Sequence, residues 1–186
     1  QTELPELKTQ DWPFEMVHHF THQTGACNAR NLALEEVDAE WVFFADDDNR
    51  MENDVLEKSM QKIKSLGVDL LTLKYSQEGE KLIFDKVKQW GTFGAGNSIV
   101  SGKFASQIRF DMAFEHGYGE DKDYGMQLRN AGCDIIYHPD IEIQHLKAPR
   151  GGFRELSLPP WEKDKDKPSP TLMIYAKKYY TAEQLM

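Results

Sequence analysis

The sequence is poor in cysteine and contains no long apolar run. Cys27 and Cys133 are the only cysteines among 186 residues, too few for a disulfide-linked scaffold and typical of proteins whose thiols stay reduced. No stretch approaches the roughly 18 apolar residues that a membrane-spanning helix needs. We therefore expect a protein without a transmembrane segment that works in the cytoplasm or at the inner face of the membrane.

Basic residues are also scarce. Lysine and arginine together number 22 against 31 aspartates and glutamates, and the formal net charge is -9. Because phosphate backbones are bound by clustered lysine and arginine, this balance argues against a nucleic acid partner. A ligand that carries phosphates would need a metal ion to supply the missing positive charge.

The first residues carry neither an initiator methionine nor the basic and apolar segments of a signal peptide. The chain is long enough for one ordinary domain. We expect an excised piece with a domain over residues 1–158, a linker over 159–170 that contains prolines and alternating charges, and an amphipathic helix over 171–186.

What the sequence does contain is an apolar run that ends in three aspartates, from Trp41 to Asp48. Five consecutive apolar residues predict a strand buried on both faces, which would bring the carboxylates to one edge of a sheet. Ligands of open α/β sheets bind at such edges. The acidic side chains are consistent with a divalent cation bridging to a phosphate, and a solvated acidic turn is the alternative.

Alternating helix and strand patterns continue on both sides of this run. The predicted elements before residue 80 are a strand over 14–20, a helix after Thr24-Gly25 with Ala26, Ala29, Ala33 and Val37 on its inner face, a helix capped by Asn53 with Leu56, Met60, Ile63 and Leu66 inward, and a strand over 69–75. A glycine-rich loop over 91–97 should lie beside a site. The later elements are a helix over 119–132 with Tyr124, Leu128 and Ala131 inward, strands over 134–137 and 141–145, and a helix over 171–180 with Leu172, Tyr175, Ala176 and Tyr179 inward. The order predicts an α/β fold with a mixed, mainly parallel, Rossmann-like sheet flanked by helices.

A second acidic cluster, Glu120-Asp121, stands at the start of a predicted helix. Two separate carboxylate sites suggest that one binds a metal and the other acts as a general base. The helix N-terminus favours the anionic form of Asp121, and a purely capping role is the alternative.

Of the six histidines, His145 is the best candidate ligand. It ends a predicted strand beside Lys147 and before a pair of glycines, so its neutral imidazole could complete a carboxylate-bound metal. Trp90, next to the glycine-rich loop, could stack on a sugar ring, and a half-buried structural aromatic is the alternative.

Four segments taken together resemble the family-2 glycosyltransferases, which have the GT-A fold. They are Gly25-Ala26-Cys27-Asn28-Ala29-Arg30-Asn31, the run from Phe43 to Asp48 with its Asp-x-Asp pattern, Gly117-Tyr118-Gly119-Glu120-Asp121-Lys122-Asp123, and Leu128-Arg129-Asn130-Ala131-Gly132. Their order and spacing agree with the family over roughly residues 25–154. The usual N-terminal strand-helix-strand unit, which binds the nucleotide, has no counterpart here. The resemblance therefore implies an N-terminally truncated fold with an exposed sheet edge.

The resemblance also implies a function and roles for individual residues. The protein would be a metal-dependent, inverting glycosyltransferase of the hexosyltransferase class, taking a nucleotide-diphosphate sugar as donor and a carbohydrate or lipid-linked acceptor, in polysaccharide or surface-glycan synthesis. The implied roles are nucleotide binding for Asp46, Arg30 and Asn31, binding of Mn²⁺ or Mg²⁺ for Asp48 and His145, catalysis for Asp121 and Glu120, and acceptor binding for Trp90 and Glu120.

Two other functions fit parts of the pattern. A catalytically silent carbohydrate-binding or scaffolding domain would keep the fold without the reaction, and the missing N-terminal unit favours it for this fragment. A phosphatase of the haloacid dehalogenase type also has an apolar strand that ends in Asp-x-Asp. It usually has threonine or valine two residues after the second aspartate, where this chain has Arg50.

Overall fold

The computed structural model describes residues 5–77, 84–115, 117–146 and 170–185. The helices are α1 (Glu6–Thr9), α2 (Ala26–Glu35), α3 (Val55–Leu66), α4 (Gly102–Ala105), α5 (Glu120–Asn130) and α6 (Pro170–Tyr179). The strands are β1 (Trp41–Ala45), β2 (Asn49–Met51), β3 (Leu70–Ser76), β4 (Lys88–Gln89), β5 (Asn97–Ser101) and β6 (Ile136–His145). Short 3₁₀ turns cover Met112–Phe114 and Glu183–Leu185. None of the helices within these ranges is long and apolar enough to cross a bilayer.

The strands form one mixed sheet in the order β1-β5-β3-β6-β2, with β4 also paired to β6. The mixed sheet is confirmed, but only the pairing of β3 with β6 is parallel among the described strands, and the other four are antiparallel. The expectation of a mainly parallel sheet is therefore corrected. The reason is β5, whose five residues are all buried. It lies between β1 and β3 and runs antiparallel to both, so the strand-helix-strand unit from β1 to β3 crosses over an inserted strand.

The first predicted strand is absent. Residues 14–20 form no strand, and Phe14 and Val17 are largely exposed. Two histidines and a glutamate interrupt this segment, and it does not join the sheet. Consequently β1 lies at the edge, without a second strand partner in the part of the chain that the structure describes.

One continuous strand, β6, replaces the two strands predicted over 134–137 and 141–145. The register with β3 jumps from Leu73 opposite His138 to Lys74 opposite Glu142. This bulge accommodates Pro139, which has no N–H to donate to the ladder, without ending the strand.

The buried face of α2 differs from the predicted alanine stripe. Cys27 and Leu34 are the buried residues of this helix, whereas Ala26, Ala29 and Ala33 are exposed. Cys27 and Leu34 bury more apolar surface than alanines would, so the helix turns them toward the sheet.

The buried face of α3 differs from the prediction, whereas α5 and α6 each differ at one predicted residue. In α3 the N-cap is Asp54 rather than Asn53, and its buried residues are Val55, Ser59 and Ile63 instead of Leu56 and Leu66. In α5 the predicted burial of Tyr124 and Leu128 is confirmed, but Ala131 is exposed. In α6 the inner face consists of Thr171, Tyr175, Ala176 and Tyr179, while Leu172 is 40% exposed. Apart from Pro170, the predicted linker lies outside the described residues.

Two apolar clusters cover the two faces of the sheet. The cluster under α2 and α5 is rich in aromatics, and Phe110 stacks on Tyr124 with ring centroids 4.1 Å apart. The cluster under α3 is aliphatic and includes Leu71, Leu73, Ile99 and Ile143. The strand that leads to the three aspartates, β1, is less buried than predicted: Phe44 is buried, Trp41, Val42 and Phe43 are partly buried against these clusters, and Ala45 is exposed.

Candidate active site

The three aspartates after β1 have different surroundings. Asp46 is half-buried, Asp47 is exposed, and the Asp48 side chain is only 12% exposed. β1 pairs with β5 along its whole length, with Ala45 opposite Asn97, so the turn that follows has a defined position.

Asp48 and His145, the two predicted metal ligands, lie together. Asp48 Oδ2 is 3.2 Å from His145 Nε2. The antiparallel pairing of β2 with β6 places Asn49 opposite His145, and the Leu146 N–H donates to the Asp48 carbonyl at 2.8 Å. A carboxylate and an imidazole are suitable donors for Mn²⁺ and, through the carboxylate, for Mg²⁺. Within the described ranges no group of three or more His, Cys, Asp or Glu side chains is placed to hold a metal ion, so Asp48 and His145 form a partial set of ligands there.

Arg30 of α2 lies among the other predicted catalytic and nucleotide-binding carboxylates. Its guanidinium nitrogens are 3.8 Å from Asp46 Oδ1, 3.6 Å from Glu120 Oε1 and 3.5 Å from Asp121 Oδ1. The guanidinium carbon also lies 5.2 Å from the centre of the Phe110 ring. The first and second acidic clusters, 74 residues apart in the chain, therefore share one cation.

Asp121 differs electrostatically from the prediction. Burial raises its pKa to about 6, partly opposed by the positive charge of Arg30 and reinforced by Glu120. Its Oδ2 accepts a hydrogen bond from the Ala95 N–H at 3.2 Å, whereas its buried Oδ1 has no hydrogen-bond partner. Desolvation therefore outweighs the expected stabilisation by the helix N-terminus. The carboxylate is still mostly ionised at pH 7.

The glycine-rich loop lies beside the site, as predicted. The Ala95 N–H contacts Asp121, and a Cβ at Gly96 would lie 2.4 Å from Asp46 Oδ2. This loop leads directly into β5, and its lack of a side chain at position 96 allows Asp46 to approach closely.

Tyr75 and Asn49 also contact the site and were missed by the sequence predictions. The Tyr75 hydroxyl lies 2.7 Å from Asn49 Oδ1 and 3.2 Å from Asp46 Oδ2. Its ring stacks on His145, with centroids 4.9 Å apart. The sequence did contain a signal for Tyr75, because this residue ends a predicted strand at the same edge of the sheet as the aspartates.

Asn31 and Trp90, also predicted at the site, have other contacts. Asn31 exchanges two hydrogen bonds with the Phe110 backbone, at 2.9 and 2.8 Å. The Trp90 ring lies against Tyr137 at 4.9 Å and Phe84 at 5.0 Å. These contacts are structural, and binding of nucleotide by Asn31 or of acceptor by Trp90 stays a prediction. Lys147, beside His145, lies outside the described residues.

A cleft of about 400 Å³ opens between α2 and the free edge of β1. Arg30, Asp46 and Ala95 line this cleft together with the exposed alanines of α2. The candidate site thus adjoins a cleft of ligand size.

The fold is similar to that of solved structures of TarS from S. aureus. The complex of TarS 1-349 with UDP-GlcNAc matches with a TM-score of 0.57 and 18% identity, over 73% of this chain and 42% of that chain. The complex with UDP matches with a TM-score of 0.53 and 18% identity, over 66% of this chain and 40% of that chain. A longer TarS structure gives 0.54 and 18%, over 66% of this chain and 24% of that chain. The chain thus spans less than half of each of these TarS chains, and at such identities the likeness shows the GT-A fold alone.

No curated protein sequence matches the chain. A family model described as Glycosyl transferase family 2 matches residues 2–111, more than half of the 186 residues. The match includes Arg30, Asp46, Asp48 and the glycine-rich loop. The chain therefore belongs to glycosyl transferase family 2.

Proposed function

We propose that this chain carries the catalytic centre of a glycosyltransferase that moves a hexosyl group from a nucleotide-diphosphate sugar to an acceptor hydroxyl with inversion. The observation that carries the proposal is the position of Arg30, within 4 Å of Asp46, Glu120 and Asp121. Residues proposed for the donor and for the acceptor thus meet around one cation. The TarS structures in complex with UDP-GlcNAc and UDP support a nucleotide-sugar donor.

Asp121 is the proposed general base. In an inverting transfer the acceptor oxygen attacks the anomeric carbon from the face opposite the leaving diphosphate, and its proton must be removed. A carboxylate with a pKa of about 6 is a stronger base than an ordinary aspartate and is still ionised at neutral pH. Glu120, the next residue, would accept hydrogen bonds from acceptor hydroxyls.

Asp48 and His145 would hold Mn²⁺ or Mg²⁺ on the donor side. When bound, the ion would supply positive charge to the departing diphosphate. The chain needs such a charge, because its own net charge is -9 and Arg30 already faces three carboxylates. Asp46 would bind the nucleotide beside the cleft.

We assign the acceptor to carbohydrates or lipid-linked carbohydrates, in polysaccharide or surface-glycan synthesis, from the family resemblance. The proposed location is the cytoplasm or the inner face of the membrane. Cys27 and Cys133 are both free and buried, which agrees with a reducing compartment.

Release of nucleotide from a panel of UDP-, GDP- and dTDP-sugars tests the proposal. We expect release with Mn²⁺, its loss with EDTA, and its loss in Asp48→Ala. Asp47→Ala is the matched control, because Asp47 is adjacent and exposed. Metal-independent release, or an equal loss in the Asp47 variant, would contradict the assignment of the metal site.

The second candidate is a silent binding or scaffolding domain. The observation that favours it is the edge position of β1, since within the described residues no second strand pairs with β1 beside the cleft. Sugar or nucleotide affinity in calorimetry without any turnover would support it. Hydrolysis of simple phosphate esters would instead indicate the phosphatase alternative.

A further inference from the structure

Tyr75, near the end of β3, contacts both halves of the candidate site although neither acidic motif contains it. Its hydroxyl lies 3.2 Å from Asp46 Oδ2, on the proposed nucleotide side. Its ring stacks on His145, on the proposed metal side, with centroids 4.9 Å apart and planes at 10°. One side chain therefore contacts a residue of each half.

The strand register explains why Tyr75 meets His145. After the bulge, Tyr75 lies opposite Ile143, and His145 follows two residues later on the same face of the sheet. If the register of Leu73 opposite His138 continued without the bulge, Tyr75 would face Asp140. His145 would then lie five residues further on and on the opposite face. The bulge thus places His145 against the Tyr75 ring.

The polar end of Tyr75 is held just as closely. The Asn49 side-chain amide donates to the Gly96 carbonyl at 2.6 Å, which turns its Oδ1 toward the Tyr75 hydroxyl at 2.7 Å. A Cβ at Gly96 would lie 2.9 Å from that hydroxyl and 2.4 Å from Asp46 Oδ2. Because a phenol carries one hydrogen, loss of the hydroxyl removes the donor that Asn49 and Asp46 share.

We propose that Tyr75 is a positioning residue that holds Asp46 and His145 in one arrangement, its hydroxyl acting on the first and its ring on the second. The proposal rests on the proposed function for the roles of those two residues. It extends that function by coupling the nucleotide side of the site to the metal side. Two variants separate the two contacts, since Tyr75→Phe keeps the ring and Tyr75→Leu removes both ring and hydroxyl.

The first test needs no ligand. In nuclear magnetic resonance spectra of the whole chain, the His145 ring protons should show an upfield ring-current shift that Tyr75→Phe keeps and Tyr75→Leu loses. Tyr137→Phe, a tyrosine of β6 whose hydroxyl contacts the Phe84 carbonyl at 3.4 Å, is the control and should leave the His145 signals in place. His145 signals that are unchanged in Tyr75→Leu would overturn the proposal.

The second test separates the two contacts kinetically. We expect Tyr75→Phe to raise the donor KM about tenfold, the value of roughly one charged hydrogen bond, with the half-saturating Mn²⁺ concentration unchanged. Tyr75→Leu should raise both, and Tyr137→Phe neither. Equal losses of kcat in both Tyr75 variants, with the donor KM and the half-saturating Mn²⁺ concentration both unchanged, would overturn the positioning role.

The outcomes distinguish this inference from the proposed function. If the wild-type chain consumes no sugar nucleotide, the proposed function fails. The ring-current shift still decides whether Tyr75 holds His145. A titration with Mn²⁺ alone, monitored by the broadening of the His145 signals, gives a second measurement that does not depend on transfer. If wild-type transfer is active but the His145 shift is absent, only the inference is overturned.

Discussion

Asp121 and Asp123 stand two residues apart in the first turn of α5, yet their surroundings are opposite. Asp123 is fully buried, and its carboxylate accepts hydrogen bonds from Lys178 at 2.7 Å, Tyr179 at 2.7 Å and Gln127 at 2.8 Å. Asp121 is 32% exposed and accepts one hydrogen bond, from the Ala95 N–H. Its other oxygen is buried without a hydrogen-bond partner, 3.5 Å from Arg30.

The difference separates a structural carboxylate from a reactive one. The buried charge of Asp123 is compensated by three donors, so it has little capacity left for a substrate. Lys178 also pairs with Asp111 at 2.8 Å, which ties α6 to the turn before α5. Although burial opposes the charge of Lys178, these hydrogen bonds raise its pKa. Asp121 keeps one oxygen that has no hydrogen bond and faces Arg30, which lines the cleft, and such a carboxylate is a candidate reacting group.

The largest expected effect is the loss of transfer in Asp121→Asn. The amide keeps the size of the side chain but cannot take a proton, so kcat should fall by about 10² to 10⁴. Donor binding, measured by calorimetry with the nucleotide diphosphate, should change less than threefold, because the change spares Asp46 and Asp48. Asp134→Asn, an exposed aspartate, is the control for a general loss of charge. A kcat within tenfold of the wild type would exclude Asp121 as the base.

The next effect is on stability, in Lys178→Met. Removing the cation leaves Asp123 buried with only two neutral donors, and unfolding in urea should become easier by about 2 kcal/mol. Lys177→Met, on the exposed side of the same helix, should cost less than about 0.5 kcal/mol. The kcat per folded molecule should stay within twofold. A loss of activity without a loss of stability would give Asp123 a functional role and erase the contrast with Asp121.

A smaller effect is expected in the pH profile. If Asp121 is the base, kcat/KM should rise with pH up to about 6 and then level off. Arg30 favours the ionised form, whereas Glu120 and Asp46 oppose it. Arg30→Gln should therefore shift the acid limb to higher pH. Lys103→Gln, which removes an exposed cation paired with Asp69, should leave the limb in place. If the acid limb of the Arg30→Gln profile is not shifted, Arg30 does not influence the titration of Asp121.

The same contrast shows what the sequence could reveal. The family resemblance predicted Asp48 and His145 as ligands of one metal, and the separation of the two acidic clusters along the chain predicted a distinct role for Asp121. Both predictions depend on local order and on strand ends that meet at one edge. The inserted strand β5 and the bulge at Pro139 were not predictable in this way, since they depend on which strands pair over long range. Both features position residues of the site. The glycine-rich loop beside Asp46 leads directly into β5, and the bulge places His145 against the Tyr75 ring. The network around Asp123 was equally hidden, since its donors are 4 to 56 residues away.

The smallest effect concerns the stability cost of keeping Asp121 reactive. Its pKa of about 6 lies above the ordinary value of 3.8, so the folded state binds this proton more tightly than the unfolded state. Stability should therefore fall as pH rises from about 4 to 6, and the cost persists above that range. Asp121→Asn removes it and should be more stable than the wild type by about 1 kcal/mol at pH 7.5, after allowance for solvent and for the lost Arg30 contact. The gain should vanish at pH 4, where the wild-type carboxyl is protonated in the folded chain. Urea unfolding of both proteins at the two pH values measures this difference, and a variant that is less stable at pH 7.5 would make Asp121 a structural residue like Asp123.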